Sequence, residues 1–113
     1  MAKRKSRRRH SSPRAAVGVA WYRPQEWQRL LQVSADRDEL EATYDEWASA
    51  MPARIAEIEQ AGFKAHRIDV GVEDLIAWCR LRSRAVDGAA RADYVAHKLK
   101  DLELSELWSE PDA

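Results

Sequence analysis

The chain has 113 residues, of which 45% are hydrophobic and 34% charged, with a formal net charge of +0 at pH 7. This length predicts one domain, and the hydrophobic content argues against a wholly disordered chain. No apolar run approaches the roughly 20 residues of a membrane span, no signal-peptide pattern follows the basic start, and the single cysteine excludes an intrachain disulfide. We therefore expect a soluble, cytoplasmic protein.

The neutral total conceals a basic arm joined to an acidic body. Residues 1–14 contain no acidic residue and seven cationic ones: Lys3, Arg4, Lys5, Arg7, Arg8, Arg9 and Arg14. Residues 15–113 hold the other 12 Lys and Arg against all 19 Asp and Glu, a net charge of −7. We predict a disordered arm over 1–16, a single domain over 17–104 and an acidic tail over 105–113. The arm is either a non-specific contact for nucleic acid or a merely solubilising terminus.

Residues 17–22 predict a short buried strand that turns directly into a helix. Alternation places Val17, Val19 and Trp21 on one face and Gly18, Ala20 and Tyr22 on the other. The small residues at positions 18 and 20 would let a helix approach closely. Pro24 has no N–H for a sheet ladder and suits the first turn of the helix that follows.

The next helix is predicted to begin with a capping box formed by Thr43 and Glu46. Its apolar stripe consists of Tyr44, Trp47, Ala48, Met51, Ile55 and Ile58. Pro52 lies within this stripe and would either kink the helix or restart it as a second one. Gly62 is a suitable residue just beyond the C-terminal end.

Residues 63–70 predict a second strand, followed by a helix whose inner face carries Leu75, Trp78 and Cys79. Asp87 is the predicted N-cap of the last helix. The predicted apolar stripe of that helix is Ala92, Val95, Ala96, Leu99 and Leu102.

The resulting order is β-α-α-β-α-α, which predicts a small α/β (borderline α+β) domain with a two-stranded sheet and four to five helices. Strands separated by a helical connection should be parallel. A two-stranded sheet is marginally stable alone, so helices must cover it or a second subunit must extend it. We therefore expect a homodimer.

Four segments occur in an order that resembles a family of small uncharacterised bacterial proteins. They are Ala20-Trp21-Tyr22-Arg23, Thr43-Tyr44-Asp45-Glu46-Trp47, Ala77-Trp78-Cys79 and Val86-Asp87-Gly88-Ala89-Ala90-Arg91. The resemblance covers about residues 19 to 100. It implies an α/β domain and a bacterial cytoplasmic origin, and it brings no activity.

The candidate ligand or interface residues are Trp21, Tyr22, Arg23, His66 and Trp78. Arginine at the carboxyl end of a parallel strand could bind a carboxylate or phosphate, although an ion pair with Glu26 or Asp45 is the favoured interpretation. The tryptophans are interpreted mainly as core, with an aromatic interface as the alternative. The pattern predicts no catalytic group, metal or cofactor.

Three functions remain open on the sequence alone. The first is a homodimeric adaptor or regulatory module whose basic arm binds nucleic acid non-specifically. The second is a protein–protein interaction domain that uses its sheet edges and surface tryptophans. The third is a small-molecule binder or enzyme that takes a small anionic ligand at the turn of residues 21–23, where Tyr22 and Arg23 would be joined by His66.

Overall fold

The computed structural model of the protein describes residues 15–108. They form, in chain order, strand β1 (Ala16–Trp21), helix α1 (Trp27–Val33), helix α2 (Tyr44–Gln60), strand β2 (Lys64–Asp69), helix α3 (Val72–Leu81) and helix α4 (Gly88–Trp108). Short 3₁₀ turns, Pro24–Glu26 and Arg37–Glu39, precede and follow α1. The predicted order of elements is confirmed. The seven cationic residues of the arm lie outside the described residues, as do positions 109–113 of the predicted tail.

The two strands are parallel, in a register that runs from Ala16 opposite Lys64 to Trp21 opposite Asp69. The Lys64 N–H donates to the Ala15 carbonyl at 2.9 Å, and the Val70 N–H donates to the Trp21 carbonyl at 3.0 Å. The ladder therefore uses the odd-numbered residues of β1. β1 begins at Ala16, the last residue assigned to the predicted arm, because pairing with β2 continues to that point.

The two faces of β1 are covered by different helices. Trp21 packs against Trp47 of α2, with ring centroids 5.1 Å apart. On the other face Gly18 meets α4, where a Cβ on the glycine would lie 2.6 Å from Val95 Cγ1. The expectation that small residues on β1 allow a helix to pack closely is confirmed at Gly18, where that helix is α4.

Helix α2 continues through Pro52 as one element. The Thr43 hydroxyl accepts the Glu46 N–H at 3.1 Å, as expected for its N-cap, and Gly62 has a φ of 99° beyond the C-terminal end. The predicted stripe of α2 packs in or against the core. That packing holds the helix together across the proline, which lacks the N–H of a regular helix.

The prediction for α4 is partly wrong. Val95 and Leu99 are buried as expected, but Ala92 and Ala96 are exposed and Leu102 is 41% exposed. The helix packs on β1 through a narrow stripe and turns Tyr94 towards Trp78 of α3, with ring centroids 5.4 Å apart. The two alanines therefore lie beside the contact with β1.

Helix α4 also extends to Trp108, beyond the predicted domain end at 104 and into the predicted tail. Glu106 and Leu107 are of strong helix-forming types, which favours this continuation. Among the described residues, no helix is long and apolar enough to cross a membrane.

Candidate functional site

Arg23, the predicted anion contact, forms an ion pair with Glu26. The other oxygen of Glu26 accepts the Val72 N–H at 2.8 Å and so satisfies a free amide at the start of α3. The favoured interpretation of Arg23 as an ion-pair partner is confirmed. The pair links the turn after β1 to the helix that follows β2.

The other predicted site residues lie on separate surfaces. Trp21 lies on the α2 side of the sheet, with the Arg67 guanidinium 3.6 Å from its ring centroid. Trp78 lies beneath Arg82, which is 4.1 Å from its ring centroid, and its buried Nε1–H has no partner among the described residues. His66 is half-buried in β2, in register with Gly18. Trp21, Arg23, His66 and Trp78 thus do not converge on one site, whereas Tyr22 lines a cavity along the outer edge of β1.

The outer edge of β1 is the most distinctive surface of the fold. Within residues 15–108, β2 pairs with one side of β1 only, and the sheet has two strands. The N–H and C=O groups of Ala16, Gly18 and Ala20 point away from β2. They have no hydrogen-bond partner in the part of the chain that the structure describes. An unpaired strand edge of this kind is a template for another extended chain.

Two adjoining cavities of about 680 and 490 Å³ follow this edge and share Gly18 and Ala92. No residue of β2 lines either cavity, which places both on the outer side of β1. We call them together the edge groove, with residues 16–20 as its floor. One wall comes from α2, with Met51 and Ile58, and the other comes from α4, with Ala92 and Ala96.

One end of the edge groove is polar. Tyr22 is only 5% exposed, yet its side chain lines the groove. Burial raises the pKa of Tyr22 to about 12, and the Arg91 charge opposes part of that rise. The phenol is therefore a neutral hydrogen-bond donor at any physiological pH.

Arg91, at the same end, is held by a bidentate ion pair with Asp36. Its two terminal nitrogens lie 2.9 and 2.8 Å from the two carboxylate oxygens, and one also donates to Ser34 Oγ at 3.1 Å. Asp36 in turn accepts the Gly88 N–H at 2.9 Å, so it fixes the start of α4. Hydrogen bonding from Arg91 holds the pKa of the Asp36 carboxyl below its usual value.

Sequence reasoning missed Asp36, Arg91 and the role of Ala92 and Ala96. Asp36 and Arg91 lie 55 residues apart, and no local pattern joins them. The alanines were assigned to the core because they fit the helical period, and only the packing of α4 shows that they border an open strand. The small side chains of Ala92 and Ala96 were the signal in the sequence that could have indicated the groove.

Other chemistry has little support within residues 15–108. No group of three or more His, Cys, Asp and Glu side chains there could hold a metal ion. Cys79 is buried, and burial raises the pKa of its thiol, which disfavours the nucleophilic thiolate.

Comparison with known proteins gives no match to a family model, to a curated protein or to a solved structure. The resemblance to a bacterial family therefore stays a prediction. The edge groove and the charge distribution are the features of the protein that bear on its function.

Proposed function

We propose that this protein is an interaction module that binds an extended segment of a partner protein by strand addition in the edge groove. The observation that carries the proposal is the set of unpaired backbone groups at Ala16, Gly18 and Ala20. Alternating N–H and C=O groups are complementary to the backbone of another strand, which would become the third strand of the sheet.

The groove walls suit an extended segment with alternating side chains. Residues facing α2 would contact Met51 and Ile58, which are apolar. Residues facing α4 would lie beneath Ala92 and Ala96, whose small side chains leave space. Apolar side chains on one side and small ones on the other are therefore the expected specificity.

A single segment fits this edge better than a second copy of the chain. Val95 lies directly on Gly18, so α4 runs above β1. A second β1 would lie about 4.8 Å away and carry its own α4. Packed helix axes stay about 8–10 Å apart. Symmetric pairing of two β1 strands would thus also have to pack the two α4 helices against each other, whereas a single segment brings no helix.

The test is selection of random heptapeptides on the full chain, followed by titration of the selected peptide. We expect binding to be lost in Ala96→Lys, which fills the groove, and retained in the matched variant Ala89→Lys, which places the same side chain on an exposed position outside the groove lining. Light scattering of the free protein measures self-association. The proposal would be overturned if no selected peptide loses binding in Ala96→Lys. It would also be overturned if the free protein dimerises and so closes the groove.

A second candidate activity is nucleic-acid binding by residues 1–14, and the charge split favours it. Joined to the groove, it would make the protein an adaptor that brings a partner to nucleic acid. Seven cations predict an affinity of order 10⁻⁴–10⁻⁶ M at physiological salt. Fluorescence anisotropy with duplex DNA and single-stranded RNA across a salt series tests it. An unchanged salt slope after deletion of residues 2–14 would exclude the arm.

A further inference from the structure

The polar end of the edge groove offers hydrogen-bond donors that have no partner within residues 15–108. The Tyr22 ring is fixed by edge contacts to Trp27 and Trp47, with centroids 5.9 and 5.4 Å away. No described residue accepts a hydrogen bond from its hydroxyl, although the side chain is 5% exposed. That oxygen is not fully buried, and Tyr22 lines the groove.

Arg91, which lines the same end of the groove as Tyr22, also has N–H groups that are unpaired among the described residues. A guanidinium carries five N–H groups, and Arg91 directs three of them at Ser34 and Asp36. Two N–H groups are left without a partner in the described structure. Because Asp36 neutralises the charge of Arg91, these groups act mainly as oriented donors.

Other charged groups at this end are largely balanced. Arg54 pairs with Glu41 at 2.5 Å, and both side chains line the groove. Glu39 lies exposed at the rim and opposes an anion. The first turn of α4 begins here at Gly88, and the positive end of the helix dipole favours negative charge. The balance suits a single carboxylate and disfavours a dianionic phosphate.

We propose that the edge groove takes the C-terminal segment of a partner protein, with its terminal carboxylate hydrogen-bonded by Tyr22 and Arg91. This inference rests on the proposed function and specifies its ligand. Two carboxylate oxygens accept about four hydrogen bonds, which matches a hydroxyl and two N–H groups better than one backbone carbonyl does.

The position of the donors also fixes the direction of the bound segment. Tyr22 follows β1 directly, at the carboxyl end of the strand. A segment that ends there runs parallel to β1, and the sheet becomes a parallel sheet of three strands. Its last residues would pair with Ala20 and Gly18, and its preceding residues would pass Ala16 on the way out of the groove.

The experiment compares two heptapeptide libraries on the full chain. One library has free C termini, and the other has the same random region followed by further sequence. The peptide selected from the first is then titrated as the free acid and as the C-terminal amide. We expect enrichment from the first library and about tenfold weaker binding of the amide, a typical effect of a lost charge-assisted hydrogen bond.

Two phenol variants locate the contact. Tyr22→Phe removes the hydroxyl and keeps the ring, so we expect the free acid to bind about three- to tenfold more weakly, with a smaller difference between acid and amide. Tyr44→Phe is the matched control, because Tyr44 packs on Trp27 and Trp47 but does not line the groove. Thermal melting establishes that both variants fold.

The outcomes separate the two proposals. Equal enrichment from both libraries, with acid and amide binding equally in a manner abolished by Ala96→Lys, overturns the carboxylate site and leaves strand addition standing. If neither library yields a peptide whose binding is lost in Ala96→Lys, both proposals are overturned. Loss of binding in Tyr22→Phe that is equal for acid and amide assigns the hydroxyl to another part of the peptide and also overturns the carboxylate site.

Discussion

Gly18 and Val95 touch so closely that β1 and α4 leave no room for a side chain at position 18. A Cβ there would lie 2.6 Å from Val95 Cγ1 and 3.3 Å from the Val95 carbonyl oxygen. Because overpacking would displace α4, we expect Gly18→Ala to lower the free energy of unfolding by about 1–3 kcal/mol, measured by urea denaturation.

Gly88→Ala is the control for that substitution. A Cβ at Gly88 would lie 3.5 Å from the Asp36 carboxylate, which is ordinary contact. Alanine is also favoured over glycine in helices by up to about 1 kcal/mol. Equal stability of the two variants would contradict the close approach of α4 to β1.

Amide hydrogen exchange should alternate along β1. The N–H groups of Val17, Val19 and Trp21 point towards β2, whereas those of Ala16, Gly18 and Ala20 point into the edge groove. We expect slow exchange at the odd positions and fast exchange at the even ones in two-dimensional NMR spectra. Uniform protection in the free protein would mean that the edge is already occupied. Addition of a bound peptide should slow exchange at the even positions alone.

The Asp36–Arg91 pair predicts a defined response to acid. Hydrogen bonding from Arg91 lowers the pKa of Asp36 from its usual 3.8. A carboxyl with a lower pKa in the folded state stabilises fully above its unfolded pKa, and this contribution is lost as pH falls through the folded pKa. We expect Asp36→Asn to destabilise the protein at pH 7 by about 3 kcal/mol, because Arg91 loses its partner.

The same substitution should flatten the dependence of stability on pH below about pH 4. Chemical denaturation between pH 2 and pH 7 measures both effects. Asp38→Asn is the control, since Asp38 is exposed and has no ion pair in the described structure. If the free energy of unfolding falls with the same slope below pH 4 in the wild type and in Asp36→Asn, the lowered pKa of Asp36 does not contribute to the acid response.

Ser83 has a φ of 53°, in the left-handed region that favours glycine. It ends α3 in a Schellman arrangement, in which the Ser83 N–H donates to Arg80 and the Arg84 N–H donates to Cys79, both at 3.0 Å. We expect Ser83→Gly to raise the free energy of unfolding by about 0.5–1 kcal/mol, while Ser83→Ala gives no gain. Thermal and urea denaturation of the wild type and the two variants measure these differences. A Ser83→Gly variant no more stable than the wild type would contradict backbone strain at position 83.

The fold was largely predictable because its local signals agree with one another. Thr43 caps α2, Asp87 caps α4 through a 2.9 Å bond from the Ala90 N–H, and Gly62 closes α2. Two short strands separated by helices allow few arrangements, and the parallel one was expected. Each of these caps depends on residues within a few positions of one another.

The groove was not predictable by the same means. Arg23 was a candidate because it is a cation at the end of a strand. In the structure it forms an ion pair with Glu26, three positions further along the chain. The donors that remain available, Tyr22 and Arg91, lie 69 positions apart in the sequence. Only the packing of α4 against β1 places them at one end of the groove. Distant residues acquire a shared role through tertiary contacts that no periodicity records.

The ion pair at Glu26 has a consequence for how the chain folds. β1 gains its ladder only when β2 arrives, since Ala16 pairs with Lys64, 48 residues later. The turn after β1 likewise gains its second contact only when Glu26 meets the Val72 amide. During synthesis residues 15–63 therefore supply no partner strand for β1. We expect completion of the sheet to wait for β2 and α3, and a ribosome-bound fragment ending before residue 64 to leave residues 16–21 unpaired and open to other proteins.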